Sequence, residues 1–180
     1  MKDYILNRYD KDKDENLLIK IYTTKVEDLY EDFDKKSSFI KKDLKDNLKE
    51  YLYESAYEIG NRPFKIQFYF EEKITEDSSL KLHSSIQEYF SYLQFLKKKV
   101  MKENIKNSII FSIIGFLLVF ISFSLSIYDK MYFKIISEGI MIGGWVALWE
   151  ALATILVGWL PLRKELKIYN KIANAKIDIY

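Results

Sequence analysis

Two long uncharged stretches constrain what this chain folds into more than any other feature. Residues 108–127 form a run of 20 without a charge, and residues 139–160 a run of 22 whose only charge is Glu150. At about 1.5 Å per residue, either stretch is long enough as a helix to cross a bilayer core of roughly 30 Å. Core helices of soluble proteins seldom carry more than about 14 such residues in a row. The sequence therefore predicts a two-span membrane protein. Glu150 falls near the middle of the second stretch, where an ionisable group is costly and usually functional.

The 180 residues leave room for one modest soluble domain besides the spans. Lys, Asp, Glu and Tyr crowd residues 1–107, whereas residues 108–160 are mostly apolar. A formal net charge of +2 gives no reason to expect nucleic acid as a partner. With no Cys, the chain has neither a disulfide framework nor a thiolate metal site. The residues Met1, Lys2, Asp3 and Tyr4 do not begin a signal peptide, so the spans themselves are expected to direct insertion. The expected layout is a cytosolic α/β domain with a long helix over residues 1–107, a transmembrane hairpin over 108–160, and a cytosolic helix and strand over 161–180.

Flanking charge predicts orientation. Lys97, Lys98, Lys99, Lys102 and Lys106 precede the first stretch with Glu103 as the one acid among them. Arg163, Lys164, Lys167 and Lys171 follow the second with Glu165, while the connecting loop carries Lys130 and Lys134 against Asp129. Both termini are therefore expected in the cytoplasm, with the hairpin in the inner membrane. Tyr128, Tyr132 and Phe133 would form the outer aromatic belt, and Trp159, Arg163 and Lys164 the inner anchors. The lysine run most simply serves topology, with anionic-lipid contact as its by-product.

The soluble part reads as α+β with a small mixed sheet. Residues 16–23 (NLLIKIYT) and 63–71 (PFKIQFYFE) are β-branched and aromatic with partial alternation, hence strands. Residues 3–9 suggest another strand, joined to the next by the charged turn 10–15. Leu44, Leu48, Leu52, Ser55 or Ala56, and Ile59 recur at helical spacing, with Gly60 as cap and Pro63 opening the next element. This is a β-α-β unit and favours parallel pairing. A short helix is expected around residues 26–33. From about His83 the pattern turns helical again and runs without Pro or Gly from Ile86 to Ile114, on the order of 60 Å in all. A fresh helix is expected from Pro161, and residues 176–180 (KIDIY) alternate like a strand that returns to the sheet.

The order of these pieces resembles an uncharacterised family of prokaryotic two-span membrane proteins. The resemblance is carried by residues 26–34 (VEDLYEDFD), 42–59 (KDLKDNLKEYLYESAYEI), 63–70, 85–93 (SIQEYFSYL) and 142–162 (IGGWVALWEALATILVGWLPL) with Arg163 and Lys164. It covers most of the chain. Members of that family often carry the acid of the second span a few residues later, where this chain has Ala153. The resemblance implies an architecture and no established activity.

Within the second stretch, Gly139, Gly143, Ala147, Glu150 with Ala151, Thr154 and Gly158 follow one another at spacings of three and four. The first stretch repeats the design with Ser108, Ser112, Gly115, Val119, Ser122 and Ser126. Small residues let helix backbones approach closely in lipid, and two such faces predict a homo-oligomer of four or more copies. Glu150 then has two readings. Copies ringed around an axis would make a carboxylate ring in a cation-selective pore, lined further by Thr154 and Ser122. Alternatively, a protonated Glu150 would hydrogen-bond between helices and add packing specificity. Gly143 and Gly144 read as a close-packing point more readily than as a hinge. Glu138 reads as solvated or salt-bridged near Lys130 and Lys134.

The Asp10, Asp12, Asp14 and Glu15 run begins like a calcium loop but lacks the sixth-position Gly, and Ile21 stands where the bidentate Glu belongs. It reads as a hairpin turn. His83 is the only histidine, so no His cluster or nucleophile relay can be built, and no cofactor or enzymatic activity is expected. Tyr51, Tyr53, Tyr57 and Tyr89 read as half-buried core residues rather than a ligand pocket. The expected function is a small ion channel gated by a cytosolic domain that senses a nucleotide or a protein partner. That layout suits membrane effectors of bacterial antiphage defence. The alternative is a non-conducting anchor whose cytosolic domain recruits a protein.

Overall fold

The computed structural model describes residues 6–32 and 43–180. Two units divide the chain: Met1–Phe95 with Leu166–Tyr180, and Leu96–Glu165. The boundaries fall inside helices rather than at the ends of the apolar stretches.

The first unit is a four-stranded mixed sheet with helices packed on one face. Its strands are β1 (Asp10–Lys11), β2 (Leu17–Thr23), β3 (Phe64–Phe70) and β4 (Lys176–Ile179), in the order β1-β2-β3-β4. β1 runs antiparallel to β2, while β2–β3 and β3–β4 are parallel, with Ile19 opposite Ile66 and Ile66 opposite Ile177. The alternating pattern of β2 turns Leu17, Ile19 and Ile21 to the buried face. They meet Ile66 and Phe68 of β3 in one apolar cluster. Burying each such side chain contributes about 1.5–3 kcal/mol relative to leaving it in water.

Helix α1 (Asp46–Ile59) covers this face because Leu48, Leu52, Ala56 and Ile59 recur every three or four residues. It stops at Gly60, whose φ of 68° few other residues adopt, and whose N–H bonds back to Ala56 O. Helix α2 (Glu76–Ser126) adds Leu82, Ile86 and Phe90 to the core. Its start lies well before the expected one at His83, which is half-buried within the helix. Thr75 caps it: Ser78 N–H donates to Thr75 Oγ1 at 3.3 Å, and Glu76 and Asp77 meet the positive helix end. Tyr53 packs 5.6 Å from Tyr169, whereas Tyr51 and Tyr57 are exposed.

Three local readings change. The expected strand at residues 3–9 is a helical end and turn over its described part, Leu6 to Tyr9, with Tyr9 N–H bonded to Leu6 O; residues 3–5 lie outside the described residues. The expected helix at 26–33 is one 3-10 turn, Val26–Leu29, followed by an extended Tyr30 bridged to Leu44; Phe33 lies outside the described residues. Pro161 starts no new helix. Helix α3 (Met131–Ala153) passes through a π segment, Thr154–Trp159, into α4 (Leu160–Ala173). The proline ring and its missing N–H disrupt the usual i−4 ladder. The wider π turn absorbs this, with Leu160 N–H bonding to Ile155 O.

The expected turn at residues 10–15 opens with strand β1, and only its remainder, from Asp12, is a structured turn. Asp12 Oδ1 accepts from the N–H groups of Asp14 and Asn16 at 2.9 and 2.8 Å, and Lys65 Nζ lies 2.5 Å from Asp12 Oδ2. The Lys65 ammonium, then the Asn16 hydrogen bonds, hold the Asp12 carboxyl well below the usual carboxylate range. Because its folded pKa is depressed, its stabilisation is complete above about pH 4 and is lost as pH falls further. Asp12→Asn should lower the thermal midpoint at neutral pH and flatten its decline on acidification. Melting curves from pH 7 to 3 read this out; parallel curves for the two proteins would contradict it.

Two helices are long and apolar enough to cross a membrane: Glu76–Ser126 and the continuous helical stretch Met131–Ala173. In their most apolar windows only 17% and 11% of residues are buried within the chain. A soluble core helix of that composition is mostly buried.

Candidate functional site: the helical hairpin

The second unit is an antiparallel pair, α2 against α3, joined by residues 127–130. Ser108, Gly115 and Ser122 are buried on α2, and Ser137, Gly144 and Ala151 on α3. Each set repeats every seven residues, the spacing that keeps one seam facing a partner helix. The two sets meet in order. Ser122 Oγ donates to Ser137 O at 2.7 Å, and Ser137 Oγ donates to Ser122 O at 3.1 Å. Ser108 Oγ donates to Ala151 O at 2.8 Å. Between these pairs the backbones nearly touch. A Cβ on Gly144 would lie 2.8 Å from Val119 Cγ2 and 3.1 Å from Gly115 O. One on Gly115 would lie 2.7 Å from Leu148 Cγ and 3.0 Å from Gly144 O. Further along, a Cβ on Gly158 would lie 2.9 Å from Asn104 Nδ2. Close glycine contacts and serine-to-carbonyl bonds are the means by which helices associate where no water drives them together.

Glu150 is not part of this seam. It is exposed, and its side chain makes no hydrogen bond or ion pair among the described residues. Helical spacing places it on a flank of α3 shared with Gly139 and Gly143. Nothing lies within 4 Å of a Cβ on Gly139, and only Leu118 Cδ1, at 3.8 Å, near one on Gly143. Ala147 and Thr154 are half-buried between seam and flank. The single stripe expected on α3 thus divides into an inner seam and an uncovered flank. Ser122 is parted from Glu150: its hydroxyl is turned into the hairpin and committed to Ser137. On α2, Ser112 is half-buried, and Ser126 bonds its own helix at Phe123 O.

The sequence reading passed over Ser137, Asn104 and the Lys97–Glu165 pair, 2.6 Å apart across the hairpin. The seven-residue interval from Ser137 through Gly144 and Ala151 to Gly158 was the available signal. At the loop, Lys134 pairs with Asp129 at 2.7 Å rather than with Glu138, and Tyr128, Tyr132 and Phe133 form one aromatic cluster. At the other end the Arg163 guanidinium lies 5.3 Å from the Trp159 ring, and Lys164 is exposed.

The first unit offers a cleft of ligand size, about 500 Å³. It opens at the carboxyl ends of parallel strands β3 and β4, beside the start of α2. Phe70, Ile179 and Tyr180 form its apolar wall, and Glu71, Glu72 and Glu76 with Lys73 among them its charged one. No group of three or more potential metal ligands occurs among the described residues.

Comparisons with protein-family models, curated proteins and solved structures find no match for the chain. The hairpin and the cleft therefore carry the functional argument alone.

Proposed function

We propose that the chain is a homo-oligomeric two-span membrane protein, four or more copies of which surround an axis to form a small cation-conducting pore. The supporting observation is the position of Glu150. The hairpin closes its own interface through Ser122, Ser137, Gly115, Gly144 and Ser108, leaving the carboxyl on an uncovered flank amid apolar residues. The Ser108–Ala151 bond sets Glu150 level with the start of the first apolar stretch, and an acidic side chain left facing hydrocarbon costs up to about 2.5–3.5 kcal/mol on insertion scales. Copies packed along the Gly139 and Gly143 flank remove that cost and bring their carboxylates together, the arrangement of a cation-selective ring. Thr154 stands on the border of the same flank.

In this reading both termini are cytoplasmic, and the α/β unit is the sensor. Helix α2 begins at the acidic cleft and runs without a break into the first span, so a partner seated there bears on the pore helix directly. Three carboxylates against one ammonium, Lys73, leave the cleft wall net acidic, which makes a protein partner a better fit than a nucleotide phosphate. The cation-rich flanks of the hairpin support an inner-membrane setting, and the layout suits a defence effector. A second reading, a non-conducting anchor that recruits a protein, draws on the hairpin's self-contained seam, which lets one copy insert alone.

Cation flux from liposomes holding the purified protein tests between them. A pore predicts leakage with a copy number of at least four. A tight bilayer under every condition, with one or two copies, selects the anchor.

A further inference from the structure

The hairpin carries an unbalanced band of cations where its helices leave their apolar segments. Lys97 is neutralised by Glu165. Lys98, Lys99, Lys102 and Lys106 on α2, and Arg163 and Lys164 on α4, are exposed and form no ion pair among the described residues. Lys98, Lys102 and Lys106 recur every four residues with Lys99 beside them. Glu103 is the one acid within the run, and the like charges spaced by four still outnumber it and destabilise the helix, so the stripe calls for an anionic surface. Arg163 is seated on the Trp159 ring, which leaves the donors at its edge free for bidentate contact with phosphate.

We propose that this band is a binding site for the phosphate headgroups of anionic phospholipids, an inference that rests on the membrane reading above. The hairpin's own pairings set the levels of these cations. The Ser108–Ala151 bond and the Lys97–Glu165 pair put Arg163 and Lys164 level with Lys98 and Lys99, and Leu160 level with Lys102. Arg163 and Lys164 stand within about 6 Å of Leu160, where the second apolar stretch ends. Lys106, about 6 Å further toward the apolar segments than Lys102, reaches out with its flexible stem. The six cations thus form one band against the headgroup oxygens. Nucleic acid offers the same phosphates, but not the hydrocarbon that the adjoining exposed apolar segments require; this decides for lipid.

The test reconstitutes the full chain in liposomes of phosphatidylcholine alone or mixed equally with phosphatidylglycerol. Lipids retained after mild extraction are then counted by native mass spectrometry. The proposal predicts several-fold enrichment of phosphatidylglycerol. Lys102→Gln with Lys106→Gln should reduce it several-fold, and Lys98→Gln with Lys99→Gln should do likewise. Arg163→Gln, on the other helix, checks the result independently and should also reduce retention. Equal retention of both lipids by an inserted protein overturns the proposal and leaves the membrane reading standing. Displacement of the lipid by millimolar inorganic phosphate or by an oligonucleotide also overturns it, in favour of those ligands. Failure to float with liposomes of either composition overturns both readings.

Discussion

Replacing Gly144 with leucine should pry the two helices of the hairpin apart. The position has no room for a side chain: even a Cβ meets Val119 Cγ2 at 2.8 Å, and backbone atoms of Gly115 and Val119 at 3.1 Å. A methyl group of Val119 can turn aside, but the backbone of α2 cannot. Overpacking an ordinary core position costs about 1–3 kcal/mol, and a backbone contact belongs at or above the top of that range. The hydrogen bonds on either side, Ser122 with Ser137 and Ser108 with Ala151, are lost with the approach that makes them. Because the chain has no Cys, cysteines placed at Ser122 and Ser137 report the seam without background. Their disulfide should form readily in the parent and fall at least tenfold in the Gly144→Leu protein. Gly139→Leu is the matched control. Nothing lies within 4 Å of that site, so the disulfide should persist while the copy number drops. Equal disulfide yield in parent and Gly144→Leu would show that the seam lies elsewhere.

Glu150→Gln should leave the hairpin and the assembly intact while removing most cation preference. Glutamine keeps the shape and the hydrogen-bonding capacity of a protonated glutamate and discards only the charge. A carboxylate about 4 Å from a permeating cation is worth on the order of 4 kcal/mol at an effective dielectric of 20. Losing even a third of that lowers the cation-to-anion permeability ratio about tenfold. Reversal potentials across a salt gradient should shift toward zero accordingly. An unchanged potential would assign Glu150 to helix packing instead.

The first unit was largely legible in the sequence because its elements have a wet and a dry side. Ile19 and Ile21 are set off by Lys20 and Tyr22, and the stripe from Leu48 to Ile59 stands out against lysines and glutamates. Contrast of that kind fixes both the element and the direction it faces. The hairpin lacks it. Where nearly every residue is apolar or small, a 3.6-residue stripe through Gly139, Gly143 and Glu150 looks as sound as a seven-residue seam through Ser137, Gly144 and Ala151. Only the partner helix phases α3, and hydropathy carries no record of the partner. The same lack of contrast hid the passage through Pro161: a proline after an apolar run reads as a start, and the π turn that accommodates it has no sequence signature. Thr75, Glu76, Asp77 and Ser78 did carry a capping signal for α2, outweighed by the stronger apolar pattern beyond His83.

The most direct measurement of the central claim is whether water reaches position 150 in the assembled protein. A cysteine placed there in this otherwise cysteine-free chain reacts only as a thiolate, and thiolates form in water rather than in hydrocarbon. Glu150→Cys protein in liposomes should be modified by a small charged thiol reagent added from the aqueous side, and the modification should block cation flux. An inert thiol at position 150, alongside a reactive one at exposed Tyr128, would contradict the pore.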